Sequence, residues 1–172
     1  MATLGIDLGR NVAAVRVEWI RGEYRCMYAE AWQYEGTDWG IEEAALWTAD
    51  LLRHDLLPAM FDVDSVVIEE VWFHPVPGRA TIDPNSVTPI VAQQGLVVDH
   101  VSAMCIPLQI VSATDVSRQT DITKGLAVGL MPSMVKGLDM KKFLGPRGGK
   151  QMLEHVADAA KLAYYGESRR RF

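Results

Sequence analysis

The sequence has few of the features that assign a chain to a specialised class. It contains only two cysteines, Cys26 and Cys105, which are far apart and lack metal-ligand spacing, so we expect both thiols to be reduced. Its apolar runs are too short to cross a bilayer. The chain does not open with a basic segment followed by an apolar run, so we expect no signal peptide and a cytoplasmic location.

Basic residues are also in deficit, and the formal net charge of −5 argues against a polyanionic partner for the chain as a whole. The distribution is uneven. Residues 133–172 carry nine basic and four acidic side chains (+5), whereas the rest of the chain carries eight basic and 18 acidic ones (−10). This asymmetry is compatible with a local nucleic-acid-binding surface on an acidic body, and equally with a solvated basic tail.

What remains is the composition of an ordinary globular protein. The chain has 172 residues, of which 49% are hydrophobic and 23% charged, so it is long enough to bury a sizeable core. We interpret residues 1–172 as a single domain in which residues 166–172 form a flexible basic tail.

The first third of the chain predicts three consecutive strands. Leu4, Ile6 and Leu8 alternate with small or polar residues, which is the pattern of a strand over residues 3–9 with one apolar face. Two further strand-like runs, at residues 12–20 and 24–34, follow after short turns. Together they predict an antiparallel meander.

The rest of the chain predicts helices that alternate with strands. The predicted elements are a helix over 41–57 ended by Pro58, a strand over 65–71, a helix over 87–98, a strand over 106–111 and a closing helix over 151–165 ended by Gly166. Between the last strand and that helix, only a helix near residues 124–130 is suggested, and the glycine-rich residues 145–150 are interpreted as a flexible loop. This order predicts an α/β fold with a five-stranded mixed sheet, three antiparallel strands followed by parallel crossovers, flanked by helices.

Several carboxylates fall where this sheet would bring them together. Asp7 lies on the first strand, and Glu69 and Glu70 lie at the end of the fourth. Because side chains alternate along a strand, only one of the two glutamates can share the face of Asp7. His155 and Asp158 are three residues apart, on one face of the closing helix.

Such a cluster has the chemistry of a metal site. Carboxylate oxygens with one imidazole suit Mg²⁺ or Mn²⁺, and crowded carboxylates repel one another unless a cation lies between them. Two ions so held can align the attacking water and the leaving oxygen of a phosphodiester. A histidine that is merely hydrogen-bonded, with no metal, is the alternative for His155.

Three stretches, in this order, resemble the motifs of the RuvC-type Holliday junction resolvases of the ribonuclease H-like superfamily. They are residues 5–9 (GIDLG), residues 67–72 (VIEEVW) and residues 155–159 (HVADA). The glutamate of the second motif falls on Glu69. The spacing and order of the elements agree along nearly the whole chain, so the resemblance implies a ribonuclease H-like fold.

The resemblance also implies a function and a site. It implies a nuclease that uses two Mg²⁺ ions, or Mn²⁺, to resolve four-way DNA junctions as a homodimer. The implied catalytic and metal-binding residues are Asp7, Glu69, His155 and Asp158, with His155 completing the site or assisting the water. The expected DNA contacts are Trp72, which would stack on a base, Lys124, which would contact a phosphate, and Arg147 and Lys150 in the glycine-rich loop.

The sequence departs from the family pattern in ways that concern substrate choice. Residues 113–118 stand where the family has a proline-containing segment that ends in lysine, and residues 131–150 form a longer, more glycine-rich stretch. A phage or viral-type relative that acts on flaps or forks would fit. Two alternatives remain open: a non-catalytic junction-binding protein on the same fold, and a sugar-kinase or actin-like ATP-binding domain.

Overall fold

The fold is organised around a five-stranded sheet, in a computed structural model that describes residues 1–71, 84–119 and 140–170. The strands are β1 (Ala2–Asp7), β2 (Asn11–Ile20), β3 (Glu23–Gln33), β4 (Ser65–Glu69) and β5 (Leu108–Val111). They lie in the order β3-β2-β1-β4-β5. β1, β2 and β3 pair antiparallel, whereas β1 with β4 and β4 with β5 pair parallel. The predicted mixed sheet is confirmed.

Helices flank the sheet and connect its parallel strands. They are α1 (Ile41–Leu51), which continues through a π-helical turn (Leu52–Leu56) into α2 (Leu57–Met60), then α3 (Pro84–Ala103), α4 (Ala113–Gln119) and α5 (Met140–Arg169). Within the described ranges, none of them is long and apolar enough to span a membrane.

Two helix boundaries differ from those that the sequence predicted. The first helical segment runs past Pro58 to Met60, because the proline lies in the first turn of α2, where a missing backbone N–H is tolerated. Pro89 lies inside α3, which begins at Pro84 rather than at residue 87. Proline at a first helical position is favoured, since its backbone angle is already helical.

The closing helix is longer than predicted at both ends. α5 begins at Met140, so residues 145–150 have helical backbone and are not a loop. It also continues past Gly166 to Arg169, and Glu167 is buried, so the predicted tail is wrong for these residues. Gly166 is needed for close packing instead: a Cβ there would lie 2.5 Å from Val67 Cγ2 and 2.8 Å from Thr3 Cγ2.

The two faces of the sheet are packed by different helices. On one face, Leu4, Ile6 and Ile68 pack with side chains of the segment α1–α2 and of α3. On the other face, the alanines of α5 pack against β2, β3 and β1. α5 approaches closely because these positions carry only methyl groups and because Gly5 has no side chain. A Cβ on Gly5 would lie 2.1 Å from the Ala159 carbonyl oxygen.

We expect Gly5→Ala to destabilise the protein strongly. The new methyl group would meet backbone atoms of α5, which cannot rotate away, so the loss should be about 3 kcal/mol or more in the free energy of unfolding. Urea denaturation measures it. The matched control is Gly95→Ala on α3, where no atom lies within 4 Å of the new Cβ. This control should stabilise the protein by about 0.5–1 kcal/mol. Equal unfolding midpoints for the two variants would contradict the packing described.

The two cysteines should differ in reactivity. Burial raises the pKa of the Cys26 thiol to about 11, whereas Cys105 is exposed. Because only the thiolate reacts, Cys26 should stay protonated and unreactive well above neutral pH. A thiol reagent should therefore label one cysteine in the native protein and two after unfolding. Cys105→Ser should abolish the native labelling, and fast native labelling of that variant would contradict the burial of Cys26.

Candidate active site

Two carboxylates meet where adjacent parallel strands end. Asp7 is the last residue of β1 and Glu69 the last residue of β4. In the ladder Ile6 lies opposite Ile68, so Asp7 and Glu69 each follow one position later on neighbouring strands. Both side chains lie on the face of α5, because two positions earlier on these strands Gly5 and Val67 contact this helix.

The structure distinguishes the two glutamates. Glu69 is half-buried and lines a cleft that it shares with Asp158, whereas the next residue, Glu70, is exposed. The backbone N–H of Glu70 donates to the carbonyl of Val111, which continues the pairing of β4 with β5. Strand alternation therefore leaves Glu69 as the carboxylate on the same side as Asp7.

The cleft has a volume of about 250 Å³ and lies between β4, α4 and α5. Its lining residues are Glu69, Ala113, Val116, Ser117, Asp158, Lys161 and Leu162. Lys161 and Ser117 were not predicted. Lys161 lies one helical turn after Asp158, so the i, i+3 spacing on α5 was a usable signal. Ser117 gave no such signal, because the sequence did not predict α4.

His155 bridges α5 and the first two strands. Its Nδ1 lies 2.6 Å from Asp7 Oδ2, and its Nε2 lies 3.2 Å from the amide nitrogen of Asn11, the first residue of β2. The side chains of His155 and Asp7 are 27% and 14% exposed, so this contact is largely shielded from water. Asn11 was also not predicted, since nothing in the sequence links residues 144 positions apart.

A further buried side chain supports the segment between Asp7 and Asn11. Gln93 of α3 is buried, and its amide nitrogen donates to the carbonyl of Gly9 (3.2 Å) and to Thr48 Oγ1 (2.9 Å). The turn that joins β1 to β2 is therefore held from the opposite face of the sheet. This support limits how far Asp7 and Asn11 can move relative to each other.

The four predicted site residues thus form two neighbouring pairs at one edge of the sheet. Asp7 contacts His155, and Glu69 shares the cleft with Asp158. Three carboxylates and one imidazole are a donor set that suits Mg²⁺ or Mn²⁺. Across residues 1–71, 84–119 and 140–170, however, no three His, Cys, Asp or Glu side chains are grouped closely enough to hold one ion. The chemistry of these donor groups fits a metal ion. To bind the same ion, the Asp7–His155 pair and the Glu69–Asp158 pair would have to move closer together.

The predicted DNA-binding residues are not placed by the structure. Trp72 and Lys124 lie outside the described residues. Arg147 and Lys150 belong to the first part of α5, for which the backbone alone is described.

Comparisons with known proteins identify the fold. No family model and no curated protein matches the sequence. Among solved structures, RuvC from Thermus thermophilus in complex with a Holliday junction substrate matches with a TM-score of 0.63 and 17% identity, over 99% of this chain and 96% of that chain. A second T. thermophilus RuvC structure gives 0.62 and 17% over the same shares.

The yeast mitochondrial Holliday junction resolvase Ydc2 matches with a TM-score of 0.64 and 16% identity, over 97% of this chain and 77% of that chain. At such identities the likeness concerns the fold. The chain has the ribonuclease H-like α/β fold of the RuvC-type resolvases, as its three motifs predicted.

Proposed function

We propose that this protein is a Mg²⁺-dependent, structure-selective DNA endonuclease that resolves four-way junctions. The observation that carries the proposal is the convergence of Asp7, Glu69 and Asp158 on one edge of a RuvC-like sheet. Fold alone would not be enough, because one fold hosts many functions. Here the fold and the position of the acidic residues agree.

The reaction would be hydrolysis of a phosphodiester, in which a water oxygen bonds to phosphorus and one ester oxygen leaves with a proton. When bound, Mg²⁺ ions would stabilise the charge on the phosphate and lower the pKa of the water. The ions would be held by Asp7, Glu69 and Asp158. His155 would either orient Asp7 or bind an ion itself. Lys161, on the wall of the same cleft, would offer its ammonium group to a phosphate oxygen.

Branched DNA is the proposed substrate, and we propose that the protein acts on it as a homodimer in the cytoplasm. One supporting comparison is T. thermophilus RuvC, whose structure contains a Holliday junction. The net charge of +5 on residues 133–172 supplies cations on an otherwise acidic chain. Trp72, Lys124, Arg147 and Lys150 remain the proposed DNA contacts. If phosphate contacts dominate, binding should weaken steeply with salt.

One observation favours a second candidate, a junction-binding protein without nuclease activity. Within the described residues no three donor side chains are grouped around one point, so the acidic residues do not already form a closed ion site. An endonuclease for flaps or forks would use the same residues as the main proposal and differ only in substrate.

The adjacent glutamates provide a matched test of the proposed site. Glu69→Gln removes the charge in the cleft and should lower the rate of junction cleavage by about 100-fold or more, as should Asp7→Asn. Glu70→Gln removes the same charge from an exposed neighbour and should leave the rate unchanged. The measurement is the nicking of a synthetic four-way junction in Mg²⁺ or Mn²⁺, with Ca²⁺ and linear duplex as controls.

Urea unfolding would establish that all three variants fold. Full activity of Asp7→Asn, or equal losses in Glu69→Gln and Glu70→Gln, would contradict the proposed site. Junction binding by the wild-type protein without nicks would favour the second candidate, and preferred cleavage of flaps or forks would change the substrate.

A further inference from the structure

Asn11 is the feature of the site that the proposed function leaves without a role. It is only 8% exposed, at the start of β2, and its amide nitrogen lies 3.2 Å from Nε2 of His155. The opposite nitrogen of the same ring, Nδ1, lies 2.6 Å from Asp7 Oδ2. The imidazole is therefore held between side chains from two neighbouring strands.

The hydrogen-bonding capacities of Asn11 and Asp7 select one tautomer of the His155 ring. A side-chain amide nitrogen can only donate, so Nε2 of His155 must accept and carries no proton. The ring proton is then on Nδ1, which donates to the carboxylate of Asp7. A histidine in water prefers the other tautomer, so the protein must impose this one through the partners of the two nitrogens.

We propose that Asn11 is a positioning residue that acts through His155 on Asp7. By donating to Nε2, Asn11 holds the ring in the tautomer and orientation in which Nδ1 donates to Asp7. The Asp7 carboxylate is thereby fixed at the edge where Glu69 lies. This inference rests on the proposed function and adds to it a residue that neither the motifs nor the comparisons assign.

The same contacts limit how His155 can take part in a metal site. Each ring nitrogen already faces a protein partner, Asp7 on one side and Asn11 on the other. A metal ion could bind His155 only by displacing one of them. With both contacts in place, His155 acts on the reaction through Asp7, as a partner that orients a metal ligand.

A second observation supports a role for Asn11 that depends on its contact with the imidazole ring of His155. Its Oδ1 atom is buried and has no hydrogen-bond partner within the described part of the chain. A buried amide oxygen without a hydrogen-bond partner lowers the free energy of unfolding. Stability alone therefore does not explain an asparagine at this position. Among the described residues, the side-chain hydrogen bond of its nitrogen is the one to His155.

The test uses the whole 172-residue chain without metal. Nitrogen-15 NMR of the histidine rings is recorded in mildly alkaline buffer, and His155→Gln serves to assign the signals. In the wild-type protein the proton should be on Nδ1 of His155, and Nε2 should accept a hydrogen bond. Asn11→Asp keeps the size of the side chain but can only accept, so it should move a proton onto Nε2. Asn11→Ala should remove the hydrogen bond to Nε2 while Asp7 still accepts the proton of Nδ1, so the Nε2 signal should shift to that of a free acceptor.

Activity provides the second readout. Asn11→Ala and Asn11→Asp should lower kcat by about 10- to 100-fold with little change in the KM for the junction, because DNA binding does not use this contact. The control is Ser65→Ala, which removes a buried hydrogen bond to Thr3 at the other end of the β1–β4 pair and should leave kcat unchanged.

The two proposals can fail separately. A proton on Nε2 of His155 in the wild-type protein would overturn the role of Asn11, whether or not the protein cleaves DNA. Wild-type kcat in Asn11→Ala would overturn it as well while leaving the nuclease proposal intact. The predicted spectra in a protein that cuts no DNA would support the positioning and contradict the nuclease.

Discussion

The candidate site depends on the direct contact between the backbones of β1 and α5. This contact exists because Gly5 has no side chain and because the facing positions of α5 are alanines, so the helix can lie against the strand. It carries His155 to within hydrogen-bonding distance of Asp7. A larger residue at Gly5 would push the helix away from the strand, and with it the imidazole away from the carboxylate.

The sheet positions the other residues of the site through the directions in which its strands pair. β1 is antiparallel to β2 and parallel to β4, so its last residue lies near the start of one neighbour and the end of the other. Asn11 and Glu69 thus approach Asp7 from opposite sides. α5 then crosses this edge and adds a histidine and an aspartate. Three regions that are far apart in sequence (residues 7–11, Glu69 and residues 155–158) are needed, and none of them forms a site alone.

Much of this arrangement was predictable from the sequence because it depends on local patterns. Strand alternation and the three motifs indicated the mixed sheet and the positions of Asp7, Glu69, His155 and Asp158. The wrong predictions concern residue types that have more than one structural role. Pro58 and Gly166 were read as helix ends, but one begins a new helical segment and the other permits close packing. Asn11 was missed because its contact with His155 exists only in three dimensions.

The edge of the sheet opposite the candidate site brings the first and last described segments together. Asp64 accepts a hydrogen bond from the backbone N–H of Ala2 through its carboxylate and another from Arg170 through its carbonyl. Asp7 lies at the far end of β1, roughly 17 Å away at the rise of a strand. The contacts that fasten these two segments to each other are therefore separate from the contacts that position the proposed chemistry.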